Sequence, residues 1–233
     1  TEQDRAIGWA RDHGINFFDT AASYGNGVSE ENLGRALNGN SDGLVISTKV
    51  GLSNDDLSDV YGAITRSLDA SLARLRLDHV DIFQLHNTLG RTDFRGTLTI
   101  DQIMDAVVPA FDKLRDTGKV RFLGFTAKGE ADDVHKLVSC GVFHSAQVFY
   151  NLLVPSAGEP IAANYPSDDY KLLLETAKDH GVGAIGVRVL AGGALSGSTV
   201  RHPLGMRDVT PIGSETDYAT DVKRGLEFMP LIK

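Results

Sequence analysis

A single cysteine, Cys140, leaves the chain without an intrachain disulfide framework and fits a reducing compartment, so a cytoplasmic location is expected. Long hydrophobic runs are absent too: no segment approaches a membrane span, and no targeting segment is visible. Positive charge is scarce, with 23 Lys and Arg against 31 Asp and Glu and a net charge of −8. That balance disfavours a broad phosphate-binding surface, so neither a nucleic-acid nor a membrane partner is expected, although backbone N–H groups could still form a local anion site. Of the seven histidines, His13, His79, His135, His144, His180 and His202 show no ligand spacing, and a catalytic metal is not expected. No internal repeat, interdomain linker or low-complexity tract is present, which disfavours a solenoid.

What remains is an ordinary globular composition, 42% hydrophobic and 23% charged over 233 residues, enough for one large α/β unit or two small domains. Short apolar, β-branched or aromatic runs recur at 15–19, 44–48, 80–86, 120–126, 145–150 and 182–189. Amphipathic helical stretches separate them at 29–37, 59–74, 101–115, 131–139 and 168–178. Thr1 to Asp4 reads as a helix cap ahead of Ile7 and Ala10, and 221–228 reads as a helix that stops at Pro230. In the third run, Val80, Ile82, Phe83 and Leu85 leave too few polar positions for a one-sided sheet, as parallel strands covered on both faces require. The alternation is βαβα throughout, which an open doubly wound sheet and a (β/α)8 barrel both satisfy.

Active sites of parallel α/β proteins sit at the carboxyl ends of the strands. Asp19, Lys49 and His86 fall at the ends of three consecutive predicted strands, and Tyr24 lies on the loop after Asp19. Adjacent strands would bring these side chains onto one small site. A free phenol, titrating near about 10, is a poor acid at neutrality. A lysine ammonium beside it stabilises the phenolate, a carboxylate keeps the lysine charged and oriented, and a histidine can hydrogen-bond a carbonyl oxygen. Such a group moves protons but holds no electrons, so a reduction would need a cofactor such as a nicotinamide. Each residue also has a structural reading: Asp19 as a turn cap before Ser29, Tyr24 as a loop aromatic, Lys49 as a snorkelling cation, His86 as a core histidine.

The segments GINFFDTAASYGNGVSEENLGRAL, VISTKVG, LDASLARLRLDHVDIFQLHN, GKVRFLGFTAKG and AQVFYNLL together resemble the aldo-keto reductase superfamily, in the family's order and over nearly the whole chain. The resemblance implies one (β/α)8 TIM-barrel domain over residues 1–233 that binds NADPH without a Rossmann domain and passes hydride to an aldehyde or ketone. By the same resemblance Tyr24 is the general acid, Lys49 and Asp19 its tuning pair, and His86 the carbonyl-orienting residue. Gln147 matches the glutamine that binds the nicotinamide carboxamide. The segment LAGGALSG, with Leu190, Gly192, Gly193, Leu195 and Gly197, matches the loop whose backbone approaches the pyrophosphate, and glycines permit that approach.

Two departures from the family pattern stand out. Where many members carry Ser-Asn after the fifth strand, this chain has Thr126-Ala127, keeping the hydroxyl and losing the amide. Where many carry an aromatic residue on the seventh strand, this chain offers Val187 and Arg188, and Arg188 is a candidate phosphate or substrate contact or else a strand-end arginine paired with an acid. The first run aligns as the barrel's second strand, so the first strand and the final helix, strand and helix are expected to lie outside these 233 residues. The resemblance makes NADP(H) the expected cofactor; recognition of the 2′-phosphate belongs largely to that tail, so the preference between NADP(H) and NAD(H) is left open. The substrate is expected to be a small carbonyl compound or alcohol, with loops 87–100 and 151–166 as candidate lids and Leu89, Phe94, Leu152 and Tyr165 as apolar walls. The alternative is a non-catalytic, cofactor-binding regulatory subunit of the same fold, as in channel-associated β subunits; the oligomeric state is left open.

Overall fold

The computed structural model describes residues 1–90, 96–201, 203, 205 and 208–231. Phe94 and His202 lie outside the described residues. Six strands, β1 (Phe17–Asp19), β2 (Val45–Val50), β3 (Val80–Leu85), β4 (Val120–Ala127), β5 (Ser145–Phe149) and β6 (Gly183–Val187), pair in parallel and in chain order. A doubly wound sheet reverses its strand order at a switch point. No reversal occurs among the described residues, so the winding is that of a barrel wall.

One hydrogen bond measures the curl of this sheet. Asp19 on β1 and Gln147 on β5 stand four strand spacings apart, roughly 19 Å in a flat sheet. Gln147 Nε2 nevertheless donates to Asp19 Oδ1 at 2.8 Å. The six strands therefore bend into consecutive staves of a (β/α)8 barrel, with β1 and β6 as unpaired edges among the described residues.

Alternation along the strands divides the sheet into two chemistries. Ile46, Val50, Phe83, Leu85, Leu123, Phe125, Ala146 and Val148 are buried on the convex face beneath the helices. The concave face carries the buried polar groups: Ser47, Lys49, Gln84, Thr126, Ser145 and Gln147 lie there beside Ile82 and Phe149, with Asp19 at the edge. Helices α1 (Glu2–Asp12), α2 (Val28–Leu37) and α3 (Val60–Leu75) pack in sequence around the outside. The Thr1/Asp4 capping box starts α1 as the sequence predicts, and Asp59 accepts from Gly62 N–H to cap α3.

The fourth helical run, α4, comprises Ile100–Gln102, a π-type segment Ile103–Val107 and Val108–Leu114. Pro109 has no N–H to give to the preceding turn, and Val108 N–H reaches back to Ile103 O, which accommodates the extra residue. Helices α5 (Ala131–Val138), α6 (Leu173–Asp179) and α7 (Tyr218–Leu226) follow. Helix α6 begins five residues later than the sequence pattern predicts. Lys171 and Leu172 adopt left-handed φ values of 50° and 59°, while Tyr170 N–H is taken by Ser156 Oγ and Leu172 N–H by Ser156 O. Tertiary hydrogen bonds thus outweigh helical periodicity there.

A buried ion pair ties α2, β2 and α3 together behind the concave face. Glu30 Oε1 accepts from Thr48 Oγ1 at 2.5 Å, and Oε2 accepts from Arg74 Nε at 2.6 Å. Glu30→Ala strands both donors, and removing one partner of a buried pair costs about 3–5 kcal/mol. A clear drop in the denaturant midpoint is therefore expected, and a midpoint equal to wild type would show that the pair carries no stability.

Candidate active site

The carboxyl ends of β1, β2 and β3 carry Asp19, Lys49 and His86 to one place. Asp19 is in register with Ser47, Lys49 with Gln84, and the His86 N–H donates to Val50 O at 2.8 Å. The turn after β1 is fixed at its base, where Thr20 N–H donates to Ser47 O at 2.9 Å and Thr20 Oγ1 donates to Ser29 Oγ at 2.7 Å. Tyr24 N–H closes the turn onto Ala21 O at 3.0 Å. The turn thereby faces the Tyr24 side chain toward the strand ends.

Lys49 sits at the centre. Its side chain is 0% exposed, so it does not snorkel. The ammonium has three protons to place, and three oxygens receive them: Asp19 Oδ2 at 2.5 Å, Thr20 O at 2.8 Å and Tyr24 Oη at 3.4 Å. Asp19 caps no helix; Gly27 begins α2 without a side-chain cap. Its second oxygen, Oδ1, accepts from Gln147 Nε2 at 2.8 Å and from Gln84 Nε2 at 3.3 Å. The carboxylate is thus held from β2, β3 and β5 at once.

Tyr24 is 42% exposed, with its hydroxyl toward Lys49 and its ring 5.7 Å from the His86 ring in an edge-on arrangement. His86 is half-buried, and its Nδ1 lies 3.5 Å from Ser23 Oγ. Burial first, then the Lys49 charge, lower its imidazole pKa to about 4, against an opposing pull from Asp19 and a further lowering by Lys128. At neutral pH the ring is therefore uncharged, with one N–H to donate. Since the unfolded chain takes up this proton first, the His86 contribution to folding stability falls as pH drops from 6.5 toward about 4. An NMR titration of the His86 ring is expected to give a midpoint near about 4, and a midpoint at the ordinary 6.5 would contradict the burial and the Lys49 contact.

The residues expected to hold a cofactor divide into two groups. Thr126, next to last on β4, is in register with Gln147 on β5, and its buried Oγ1 has no hydrogen-bond partner. An unmatched buried hydroxyl costs about 1–3 kcal/mol, which a carboxamide would recover; this end of the site fits a nicotinamide. The glycine segment is less open. Leu190 precedes a 3-10 turn, Ala191–Gly193, with Gly192, Gly193 and Gly197 at φ values of 67°, 108° and 75°. The N–H groups of Gly193, Ala194, Leu195 and Ser196 all donate back into the turn.

Packing also accounts for these glycines. A Cβ at Gly192 would lie 2.8 Å from Val209 Cγ1, one at Gly193 3.1 Å from Tyr218 Oη, and one at Gly197 2.9 Å from Met229 Sδ. Arg188, at φ 57°, donates to Thr210 O at 3.3 Å and makes no ion pair among the described residues. Leu190 and Leu195 line an apolar groove of about 680 Å³ with Leu152, Phe228 and Met229. A second cavity, of about 560 Å³, lies between α1, β1 and α2 and touches Asp19 and Tyr24. Neither is lined by Lys49 or His86, so the chemistry is located by the hydrogen bonds rather than by cavity size. Among the described residues no group of three or more His, Cys, Asp or Glu could hold a metal ion, and no helix is long and apolar enough to cross a membrane.

Comparison with known proteins agrees with the barrel fold. Residues 1–212 match the Aldo/keto reductase family, and the chain belongs to that family. L-galactose dehydrogenase of Arabidopsis thaliana is 34% identical over 214 residues, covering 86% of this chain and 60% of the plant protein. A putative voltage-gated potassium channel subunit beta of Schizosaccharomyces pombe is 34% identical over 198 residues, covering 81% of this chain and 52% of the fungal one. The fold is shared with an aldo-keto reductase from Klebsiella pneumoniae solved in complex with NADPH, at a TM-score of 0.60 and 24% identity, covering 82% of this chain and 59% of that one. The chain thus spans three-fifths or less of the length of each of these proteins.

Proposed function

We propose that this protein is an NADP(H)-dependent oxidoreductase that reduces an aldehyde or ketone, or oxidises the corresponding alcohol, with Tyr24 as general acid. The observation that carries the reading is the fully buried Lys49 ammonium bonded to both Asp19 and Tyr24 Oη. When bound, the nicotinamide supplies the hydride. Thr126 and Gln147 would hold its carboxamide; Leu190, Gly192, Gly193, Leu195, Gly197 and Arg188 are assigned to its pyrophosphate side by the family resemblance alone, because the N–H groups of Gly193, Ala194, Leu195 and Ser196 are taken within the turn.

As negative charge grows on the carbonyl oxygen, the Tyr24 hydroxyl gives it a proton. Lys49 then stabilises the phenolate left behind, and Asp19 keeps the ammonium in place. The neutral His86 ring donates a hydrogen bond that directs the carbonyl oxygen toward Tyr24. The fungal channel-subunit relative favours a second reading, a regulatory subunit that binds the cofactor without turnover. Steady-state assay with NADPH and a panel of aldehydes and ketones separates the two: turnover supports the enzyme, and tight NADPH binding with no turnover on any carbonyl favours the regulatory subunit.

A further inference from the structure

Asp19 is poorly placed to hold itself. It is the last residue of a three-residue edge strand, and its side chain is 28% exposed. Lys49 engages only Oδ2. On the other side Gln84 offers its amide from β3: one Nε2 hydrogen points to Asp19 Oδ1 at 3.3 Å and the other to Ser47 Oγ at 2.7 Å. Gln84 is 0% exposed, and its Oε1 has no hydrogen-bond partner. Packing does not explain that choice, because a leucine or methionine would fill the same space without an unmatched acceptor. The neighbouring strand leaves room for the Gln84 stem and for Ser145. Gly124 faces Gln84 in register, and a Cβ there would lie 3.0 Å from Gln84 Cγ and 2.5 Å from Ser145 Oγ.

We propose that Gln84, anchored by Ser47, is a positioning residue that holds Asp19 and thereby sets how strongly Lys49 supports the Tyr24 phenolate. The proposal rests on the reading of Tyr24 as proton donor. A hydrogen bond to Oδ1 draws carboxylate charge away from the Lys49 side. Gln147 Nε2 still reaches Oδ1 at 2.8 Å when the Gln84 bond is removed, so the draw is weakened rather than lost. The potential at the phenolate becomes more negative, and the phenol keeps its proton to higher pH. The charged and titratable groups facing the phenol are Asp19, Lys49 and His86, with Lys128 acting on His86 at longer range.

The test is the pH profile of kcat for reduction of benzaldehyde with NADPH, in wild type, Gln84→Met and Ser47→Ala, with thermal midpoints recorded alongside. In Gln84→Met the high-pH fall in kcat is expected to move upward by roughly half to one pH unit. The KM for NADPH is expected to stay put, with a midpoint equal to or above wild type. Ser47→Ala, a smaller change that only loosens the amide, is expected to give a smaller upward move and keeps the proposal testable if Gln84→Met folds poorly. A profile that stays in place, or moves downward, in the folded variants overturns the role of Gln84. Wild-type turnover in Tyr24→Phe would overturn the underlying mechanism instead, whatever the Gln84 variants do.

Discussion

Tyr24→Phe is expected to lower kcat for carbonyl reduction by about 100- to 10,000-fold, the range that a positioned proton donor contributes. The substitution removes one oxygen atom. The ring stays edge-on to His86 and near the Lys49 ammonium, 4.9 Å from the ring centroid. Lys49 retains its bonds to Asp19 and to Thr20 O. Because Tyr24 is a partly exposed loop residue, the change in folding stability should stay within about 0.5 kcal/mol. Thr126 and Gln147 are untouched, so NADPH affinity should be unchanged. A loss of kcat at constant cofactor affinity is the pattern of an interaction made only in the transition state.

Lys49→Met has two effects, and a second substitution separates them. The ammonium is lost from under the phenol, so turnover is expected to fall by about 100-fold or more. Asp19 is also left as a charge without its cation, and Thr20 O without a donor. Breaking a buried pair from one side costs about 3–5 kcal/mol, reduced here because the Asp19 side chain is partly exposed. Neutralising the partner as well removes the stranded charge. The double variant Asp19→Asn/Lys49→Met is therefore expected to regain much of the lost stability while staying as inactive as Lys49→Met. Recovery of turnover with stability would mean that the pair holds the fold and does not act on the phenol.

The parallel strands are legible where sequence signals are local, whereas the choice between an open sheet and a barrel rests on the family resemblance. Six runs rich in β-branched and aromatic residues correspond to the six parallel strands, and the strand-end rule picks out Asp19, Lys49 and His86 from the sequence alone. Tertiary contacts hid the rest. The late start of α6 depends on Ser156, which takes the backbone of Tyr170 and Leu172 from a distant loop. The contact between Gln147 and Asp19 depends on curl, which no pairwise spacing encodes.

Gln84 and Ser47 escaped the pattern although a signal existed. Within the apolar run Val80–Leu85, a glutamine has no business on a fully buried strand unless its amide is used. The glycines of the 190–197 segment carry the opposite lesson. A phosphate loop and a loop crowded by Val209, Tyr218 and Met229 demand the same residue, so glycine alone does not distinguish them.

The decisive measurement is a single turnover: protein loaded with NADPH, mixed rapidly with excess aldehyde, and followed by the loss of nicotinamide absorbance, for wild type beside Tyr24→Phe. Wild type should oxidise its bound NADPH in one phase. Tyr24→Phe should bind the cofactor equally well and oxidise it at least about 100-fold more slowly. Equal rates in the two proteins would contradict Tyr24 as the proton donor.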